Sequence, residues 1–395
     1  MSVSFFNIKK RLDLLVITQE PFPYGMAATN RIISYLKIIS DTLKSKVLIF
    51  RPTEKKEKII NKIPKGYLDN ISYEYTCNLT YWPFKSVLLK IIFFFYGLFM
   101  LTLSIIKTKP KAIIVYSNIY YVTILLLALR TFLNYRLIIE ETEYPKCILN
   151  KKGYLSKIIN IKLYKKADGM IVMTKTLEKY YRTIGVKYIF VLPMTVDANR
   201  FNNLEVSINR GNYFVYLGSG GAERDGLIEI IKAFQLFRLN KSGYKLLLAG
   251  NLDKNSNIIR SAINFIKLNK LEEDILFTGY IKYEEIPKLL GSSIANIMLP
   301  QKIFITGGFP TKLGEYLMSG RPVIITNVGE LSAFLNESNA FIVPPGDLLY
   351  VSNVMNYIIE HKKEADEIGM RGREFALKYF NPLYYKKDLI KFIMK

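Results

Sequence analysis

Between Gly307 and Ile325 the chain compresses a loop, a helix and a strand into about twenty residues, and few folds accommodate that compression. Gly307, Gly308 and Pro310 open a short helical pattern. Gly320 and Pro322 stop it, and the β-branched run from Val323 to Ile325 reads as a buried strand. The spacing predicts a helix of about three turns. Leu313, Tyr316 and Leu317 share one face that would dock it, and Thr311 and Glu315, four apart, share another. The glycines let a ligand approach the backbone, the N–H groups at the helix start attract an anion, and Lys312 adds a full charge beside them. A phosphate fits this chemistry. Glu315 stands one turn on, roughly 6 Å away, about the separation between a nucleotide's phosphate and its ribose hydroxyls. A carboxylate there can accept two hydroxyl protons. An ordinary glycine turn before an amphipathic helix satisfies the same spacing equally well.

The rest of the chain repeats the alternation of strand and helix. Leu12 to Thr18 reads as a first strand, Gln19 to Gly25 as a proline-bearing loop and Met26 to Ile39 as a helix, the opening of a doubly wound domain. Further strands are expected at Lys46 to Phe50, Ile71 to Tyr75, Ala112 to Tyr116 and Leu137 to Glu140. In the second half they fall at Tyr213 to Leu217, Leu246 to Gly250, Ile275 to Gly279 and Ala295 to Leu299, with helical runs between them. The fold class is therefore α/β with parallel sheets, and 395 residues suit two domains of about 200 each.

Charge distinguishes the halves. The net charge is +23, and residues 1 to 200 hold 32 Lys and Arg against 13 Asp and Glu, while the remainder holds 24 against 20. An excess confined to one half implies an anionic partner there, and in the absence of a stacking motif or zinc-finger spacing an anionic membrane surface is favoured over nucleic acid. Ile91 to Ile106 is free of charge and bracketed by Lys90 and Lys107. At 1.5 Å per residue it reaches about 24 Å, short of the roughly 30 Å hydrocarbon core. A core helix is the first expectation and a helix dipped into the bilayer surface the alternative. Tyr121 to Phe132 is a second apolar helical pattern, and Leu155 to Lys166 a basic amphipathic one. Cys77 and Cys147 have no spacing for a metal or a disulfide framework, which fits a reducing compartment. Met1 to Arg11 has no signal-peptide pattern, so a cytoplasmic location is expected.

The strand at Leu137 to Glu140 runs into Glu141 and Glu143, three carboxylates at the end of a parallel strand, where such sheets present active sites. Glu143 is the candidate to orient an acceptor or take its proton, with Glu141 an equal rival; carboxylates that merely hold neighbouring lysines are the alternative. The only histidine, His361, reads as a surface residue.

The stretch from Gly307 to Ile325 resembles the signature of GT-B glycosyltransferases of the glycosyltransferase 4 family: Glu, seven residues, Glu, with Phe two positions after the first Glu. Phe309 and Glu315 match, and Gly307 stands where the first Glu would be. The resemblance assigns the ribose to Glu315 and leaves the donor sugar to backbone groups of Gly307, Gly308 and Phe309 or to Lys312, with Pro310 and Thr311 at the helix start. Pro23 to Arg31 is similar to the family's loop against the donor diphosphate, which carries over Gly25, with Arg31 either a further cation or a surface salt-bridge partner. Gly218 to Gly226 resembles the family's second glycine loop. There Arg224 takes the place of one cation and Ser219 that of the other, next to Gly218. Tyr280 and Ile281 fall where relatives read the base. Ala167 to Thr174 and Leu192 to Phe201 resemble the family's end-of-domain pattern, with a hinge at Asn199 to Glu205.

These resemblances imply a GT-B fold of two doubly wound, Rossmann-like domains facing across a cleft. The expected division is 1–200 for the acceptor, 201–380 for the nucleotide sugar and 381–395 for a terminal helix returning to the first domain. They also imply a retaining transferase that uses a nucleotide diphosphate sugar of the UDP or GDP type. No cofactor is expected. No Asp-any-Asp motif occurs, so Arg224, Lys312, Gly25 and the helix start would stabilise the departing diphosphate in place of a metal. The acceptor expected from the basic first half is a lipid-linked saccharide of cell-surface polysaccharide synthesis, met at the inner membrane face by a peripheral enzyme. Replacement of motif positions by Gly307 and Ser219 keeps a non-catalytic sugar-nucleotide or membrane-binding subunit as an alternative, and a GT-B epimerase is a third.

Overall fold

A computed structural model describes residues 11–53, 61–145, 154–202, 204, 210–218, 226–252, 256–300 and 308–395, and the chain divides into two units. The first comprises Met1–Leu192 with Pro382–Lys395, the second Pro193–Asn381. The division thus falls eight residues before residue 200. Val196 N–H bonds the Phe380 carbonyl and Phe201 O accepts from Arg373, which ties the segment after Leu192 to the second unit.

In the first unit the described strands are β1 (Leu14–Thr18), β2 (Ser45–Ile49), β3 (Lys65–Leu68), β4 (Ile71–Tyr75), β5 (Ala112–Tyr116), β6 (Arg136–Glu141), β7 (Gly169–Val172) and β8 (Ile189–Val191). They form one sheet in the order β3-β4-β2-β1-β5-β6-β7-β8, parallel except for β3. Strands buried on both faces read as continuous apolar runs, and β1 and β5 are such runs. Alternation then sends Leu14 and Val16 to one face and Leu15 and Ile17 to the other. On the first face lie α1 (Ala27–Ile39) and α12 (Lys386–Met394), which bury Tyr35, Leu36, Leu389 and Ile393. On the second lie α2 (Val87–Thr108) and α3 (Tyr120–Leu129), which bury Leu101, Ile105, Val122 and Leu126. Two more helices, α4 (Tyr154–Lys166) and α5 (Lys175–Thr183), complete the described set.

β3 was not foreseen: Lys-Gly-Tyr-Leu carries no apolar run, and only its antiparallel pairing with β4 makes it a strand. α2 extends beyond the charge-free stretch to 22 residues, because Ser86 caps its start and Lys109, in the left-handed region, ends it. Nor is α2 a core helix. Only Gly97, Leu101 and Ile105 are buried, and it is the one helix among the described residues long and apolar enough to cross a membrane. Gly97 is needed where it sits: a Cβ there would lie 2.9 Å from Cys77 Sγ and 3.2 Å from Thr76 Oγ1, so its absence lets the helix lie close on the sheet. Cys77 is itself buried, and burial pushes its thiol up. Cys147 is outside the described residues.

The second unit places β9 (Tyr213–Leu217), β10 (Lys245–Ala249), β11 (Ile275–Gly279), β12 (Ala295–Met298), β13 (Val323–Thr326) and β14 (Phe341–Val343) in a parallel sheet ordered β11-β10-β9-β12-β13-β14. One face packs on α6 (Leu227–Asn240), α7 (Asn257–Leu268) and α10 (Leu348–Glu360) through Phe234, Phe237, Ile259 and Met355. Two further helices, α8 (Ile286–Gly291) and α9 (Leu313–Met318), precede it in the chain, and α9 packs against α11 (Lys362–Tyr379). The chain starts at β9, winds outward to β11 and returns to β12 on the other side. The order therefore reverses between β9 and β12, and parallel α/β sheets bind ligands outside the carboxyl ends of strands at such a switch point.

Candidate active site

Several of the described donor candidates follow the carboxyl ends of the strands on this side of the reversal. Gly218 follows β9, Tyr280 and Ile281 follow β11, and α9 returns toward the end of β9, where the Tyr316 hydroxyl accepts the Leu217 N–H at 2.7 Å. Gly218 N–H bonds the Ala249 carbonyl at 2.8 Å and Gly250 N–H the Gly279 carbonyl at 3.0 Å, so the ends of β9, β10 and β11 are joined side by side.

α9 has six residues, under two turns rather than three, because Lys312 is its N-cap and Gly320, in the left-handed region, follows its last turn. Leu313, Tyr316 and Leu317 are fully buried, as the periodicity predicts, and Thr311, Lys312 and Glu315 remain partly exposed. The helix start offers fewer amides than expected, since Leu313 N–H is already bonded to the Pro310 carbonyl at 3.0 Å. The Phe309 side chain is also not available to a ligand. It is buried 5.6 Å from the Phe334 ring and 5.7 Å from that of Phe380, so only its backbone can serve the donor. Gly308 is partly exposed and Pro310 buried. Tyr280 is well exposed and Ile281 half-buried.

Glu315 has a partner that sequence reading missed. Its Oε1 accepts from Arg200 Nη1 at 2.6 Å, and both side chains are largely buried. Arg200 Nη2 donates to the Tyr283 carbonyl at 2.5 Å, and the guanidinium lies 3.3 Å from the centre of the Tyr283 ring. Burial pushes the Tyr283 hydroxyl up to about 12, against the opposing pull of Arg200. One arginine thus clamps the acid of α9 to the loop after β11, two positions from Ile281. The available signal was an arginine inside the Asp197-to-Phe201 run; its pairing over 115 residues leaves no local trace.

In the first unit the carboxylates at the end of β6 take different roles. Glu140 is fully buried and paired with Arg31 at 2.6 Å, and Arg31 also donates to the Leu192 carbonyl at 2.8 Å. Arg31 is therefore a buried structural cation, not a surface one: desolvation raises the Glu140 pKa, and the guanidinium beside it opposes that. Glu141 is buried as well, accepting from Asn118 N–H at 3.0 Å and the Tyr164 hydroxyl at 2.9 Å, and burial pushes it up to about 7. Only Glu143 of the three is partly exposed, in the loop beyond the strand. At Gly25 a Cβ would lie 2.1 Å from Thr29 Oγ1 and 2.8 Å from the Pro21 carbonyl, which Thr29 bonds at 2.6 Å. The loop's own packing therefore demands that glycine. His361 is exposed, stacked on Tyr357 at 4.2 Å. Arg224, Ser219 and Gly307 lie outside the described residues. Among the described residues no cluster of His, Cys, Asp and Glu could hold a metal ion.

Residues 201–375 match the family model of glycosyl transferases group 1. No curated protein matches the chain. Among solved structures, the sucrose-phosphate synthase of Thermosynechococcus elongatus is similar at 14% identity and a TM-score of 0.71, covering 96% of this chain and 98% of its own. HepE of Anabaena, in complex with UDP-glucose, is similar at 14% identity and a TM-score of 0.70, covering 96% and 99%. TarM is similar at 10% identity and a TM-score of 0.71, covering 99% and 100%. At such identities these likenesses speak to the fold, and the matched domain speaks to the activity. The chain has the GT-B fold and is a glycosyltransferase enzyme.

Proposed function

We propose that the enzyme transfers a sugar, with retention and without a metal, from a nucleotide diphosphate sugar of the UDP or GDP type to a lipid-linked saccharide, working as a peripheral protein on an anionic membrane face. The observation that carries the donor half is Glu315, held by Arg200 beside the end of β9 at the strand-order reversal. Its carboxylate is positioned by a charge-assisted bond before any ligand arrives, so hydrogen bonding to ribose hydroxyls requires little reorganisation. Tyr280 and Ile281 lie next in the chain to the loop that Arg200 clamps, which suits them to the base. Lys312, Arg224 and the backbone at Gly218 are assigned the charge that develops on the leaving diphosphate, and Glu143 the acceptor hydroxyl. HepE crystallised with UDP-glucose supports a sugar nucleotide as donor. The excess of Lys and Arg in the first half supports the anionic acceptor and membrane, and retention follows from the resemblance to glycosyltransferase 4 enzymes.

A thermal-shift series with UDP, GDP and their sugar conjugates tests the donor reading: one nucleotide stabilises the protein and one conjugate adds to that. Stabilisation by neither overturns it. Arg224→Ala is expected to lower turnover by roughly 10²–10³, the loss typical of one charge-stabilising donor. EDTA is expected to leave turnover unchanged, and activity abolished by chelator and restored by magnesium contradicts the metal-free scheme.

A further inference from the structure

α2 presents two opposite stripes. Gly97, Leu101 and Ile105 face the sheet, and half a turn away Leu88, Ile92, Phe95, Phe99, Leu103 and Ile106 run the helix length on its exposed side. A helix at a protein surface ordinarily carries polar residues there; here Phe95 is 64% and Phe99 59% exposed. On the sheet-facing side of the first turns of α2 lies a groove of about 320 Å³. Trp82, Ile91, Phe94 and Tyr121 line it, with Arg51 and Lys90. Lys90 Nζ lies 6.0 Å from the Trp82 ring centre, and the Arg51 charge acts on the Tyr121 hydroxyl, which accepts from Gln19 at 2.6 Å. Gln19 and Arg51 follow β1 and β2, so this polar end of the groove sits at the carboxyl edge of the sheet. The Trp82 indole N–H is buried with no hydrogen-bond partner among the described residues.

We infer that this groove is a seat for a membrane lipid phosphate, with the lipid chain along its apolar walls and the phosphate against Arg51 and Lys90, while the α2 stripe on the outer side of the helix dips into the same bilayer. The occupant follows from charge and shape together. From Tyr75 to Ile139 the chain has no Asp or Glu and seven Lys and Arg. Lys111 and Arg130 pair with Asp13 and Asp168, and the cations on or beside α2 itself are Lys85, Lys90, Lys107 and Lys109; a second copy docked two-fold through this helix would oppose those lysines to one another. A nucleic acid stacked on the aromatic rings would leave Leu88, Ile92, Leu103 and Ile106 without an apolar partner, whereas a bilayer takes up aliphatic and aromatic side chains alike and attracts flanking cations. Because α2 is seated on its own sheet through Gly97, Leu101 and Ile105, it meets the bilayer along its flank rather than crossing it. The inference deepens the lipid-acceptor reading by naming where the lipid enters, and it stands apart from the donor site.

Trp82 is the only tryptophan, so its emission reports the groove directly. The 395-residue protein is titrated with vesicles of phosphatidylcholine, with and without phosphatidic acid, carrying bromines on the acyl chains. Vesicles with phosphatidic acid are expected to blue-shift and quench Trp82. Arg51→Gln with Lys90→Gln is expected to weaken that response about tenfold or more, two interfacial charges' worth, with an unchanged circular dichroism melt. Phe95→Ser with Phe99→Ser, at exposed positions that leave the core intact, is expected to weaken it too. Four results overturn the proposal: no change in Trp82 emission on vesicles that bind the protein, an equal shift with inorganic phosphate alone, an equal shift with a single-stranded oligonucleotide, or the same shift on concentrating the lipid-free protein. A lost Trp82 response with nucleotide stabilisation intact removes the groove alone, and the converse removes the donor reading alone.

Discussion

Arg200 shows how one side chain can hold a site together while standing outside its motif. Its planar fork reaches Glu315 and the Tyr283 carbonyl at once and stacks on the Tyr283 ring, a geometry that lysine cannot reproduce. Arg200→Lys is therefore expected to weaken nucleotide binding about tenfold, the size of one charge-assisted hydrogen bond, by calorimetry with the nucleotide that stabilises the wild type. Unchanged affinity assigns Arg200 a purely structural role. Glu141 allows a second prediction. Unfolded it ionises near pH 4.5 and folded near pH 7, so between these values the native state keeps a proton that the unfolded chain has released. Stability present below pH 4.5 is therefore lost as pH rises toward 7, by on the order of 3 kcal/mol. Glu141→Gln can still accept from Asn118 and Tyr164, and is expected to flatten that slope in urea unfolding and exceed wild-type stability at about pH 8. A mutant with the wild-type slope assigns the titration elsewhere.

The elements divide into those that local pattern describes and those that their neighbours define. β1, β5 and α1 lie where apolar run and periodicity place them, within two residues at each end. β3 exists only as a partner of β4, and the short α9 is set by where Pro310, Lys312 and Gly320 put its ends. α2 illustrates the limit from the other side: a run of apolar residues bracketed by lysines is the same string whether it lies in a core or on a surface. What decides is the sheet beneath it, which contacts one stripe and leaves the other open. Gly97→Leu is expected to destabilise the first unit by about 1–3 kcal/mol in urea unfolding, as overpacking against Cys77 and Thr76 lifts the helix. Wild-type stability in that variant implies a helix that is not held closely to the sheet.

At the scale of the whole molecule, the first unit is closed by the chain's far end: α12 buries Leu389 and Ile393 among the helices and strands of a domain that begins with β1. Deletion of residues 386–395 removes two fully buried side chains, on the order of 5 kcal/mol. It is expected to lower the melting transition of the first unit while nucleotide stabilisation of the second persists. Loss of both together shows that the two units unfold as one. The alternation of strand and helix, the two parallel sheets, the likeness of the second half to glycosyltransferases and the basic first half were legible in the sequence, because period-two and period-3.6 patterns, turn residues and charge are local or summed properties. The Arg200–Glu315 clamp, the burial of Arg31, Glu140 and Glu141, the aromatic packing of Phe309 and the open flank of α2 came only with the tertiary structure. Whether a charge is desolvated or an apolar face is covered depends on residues tens to more than a hundred positions away, and neither quantity exists until those residues meet.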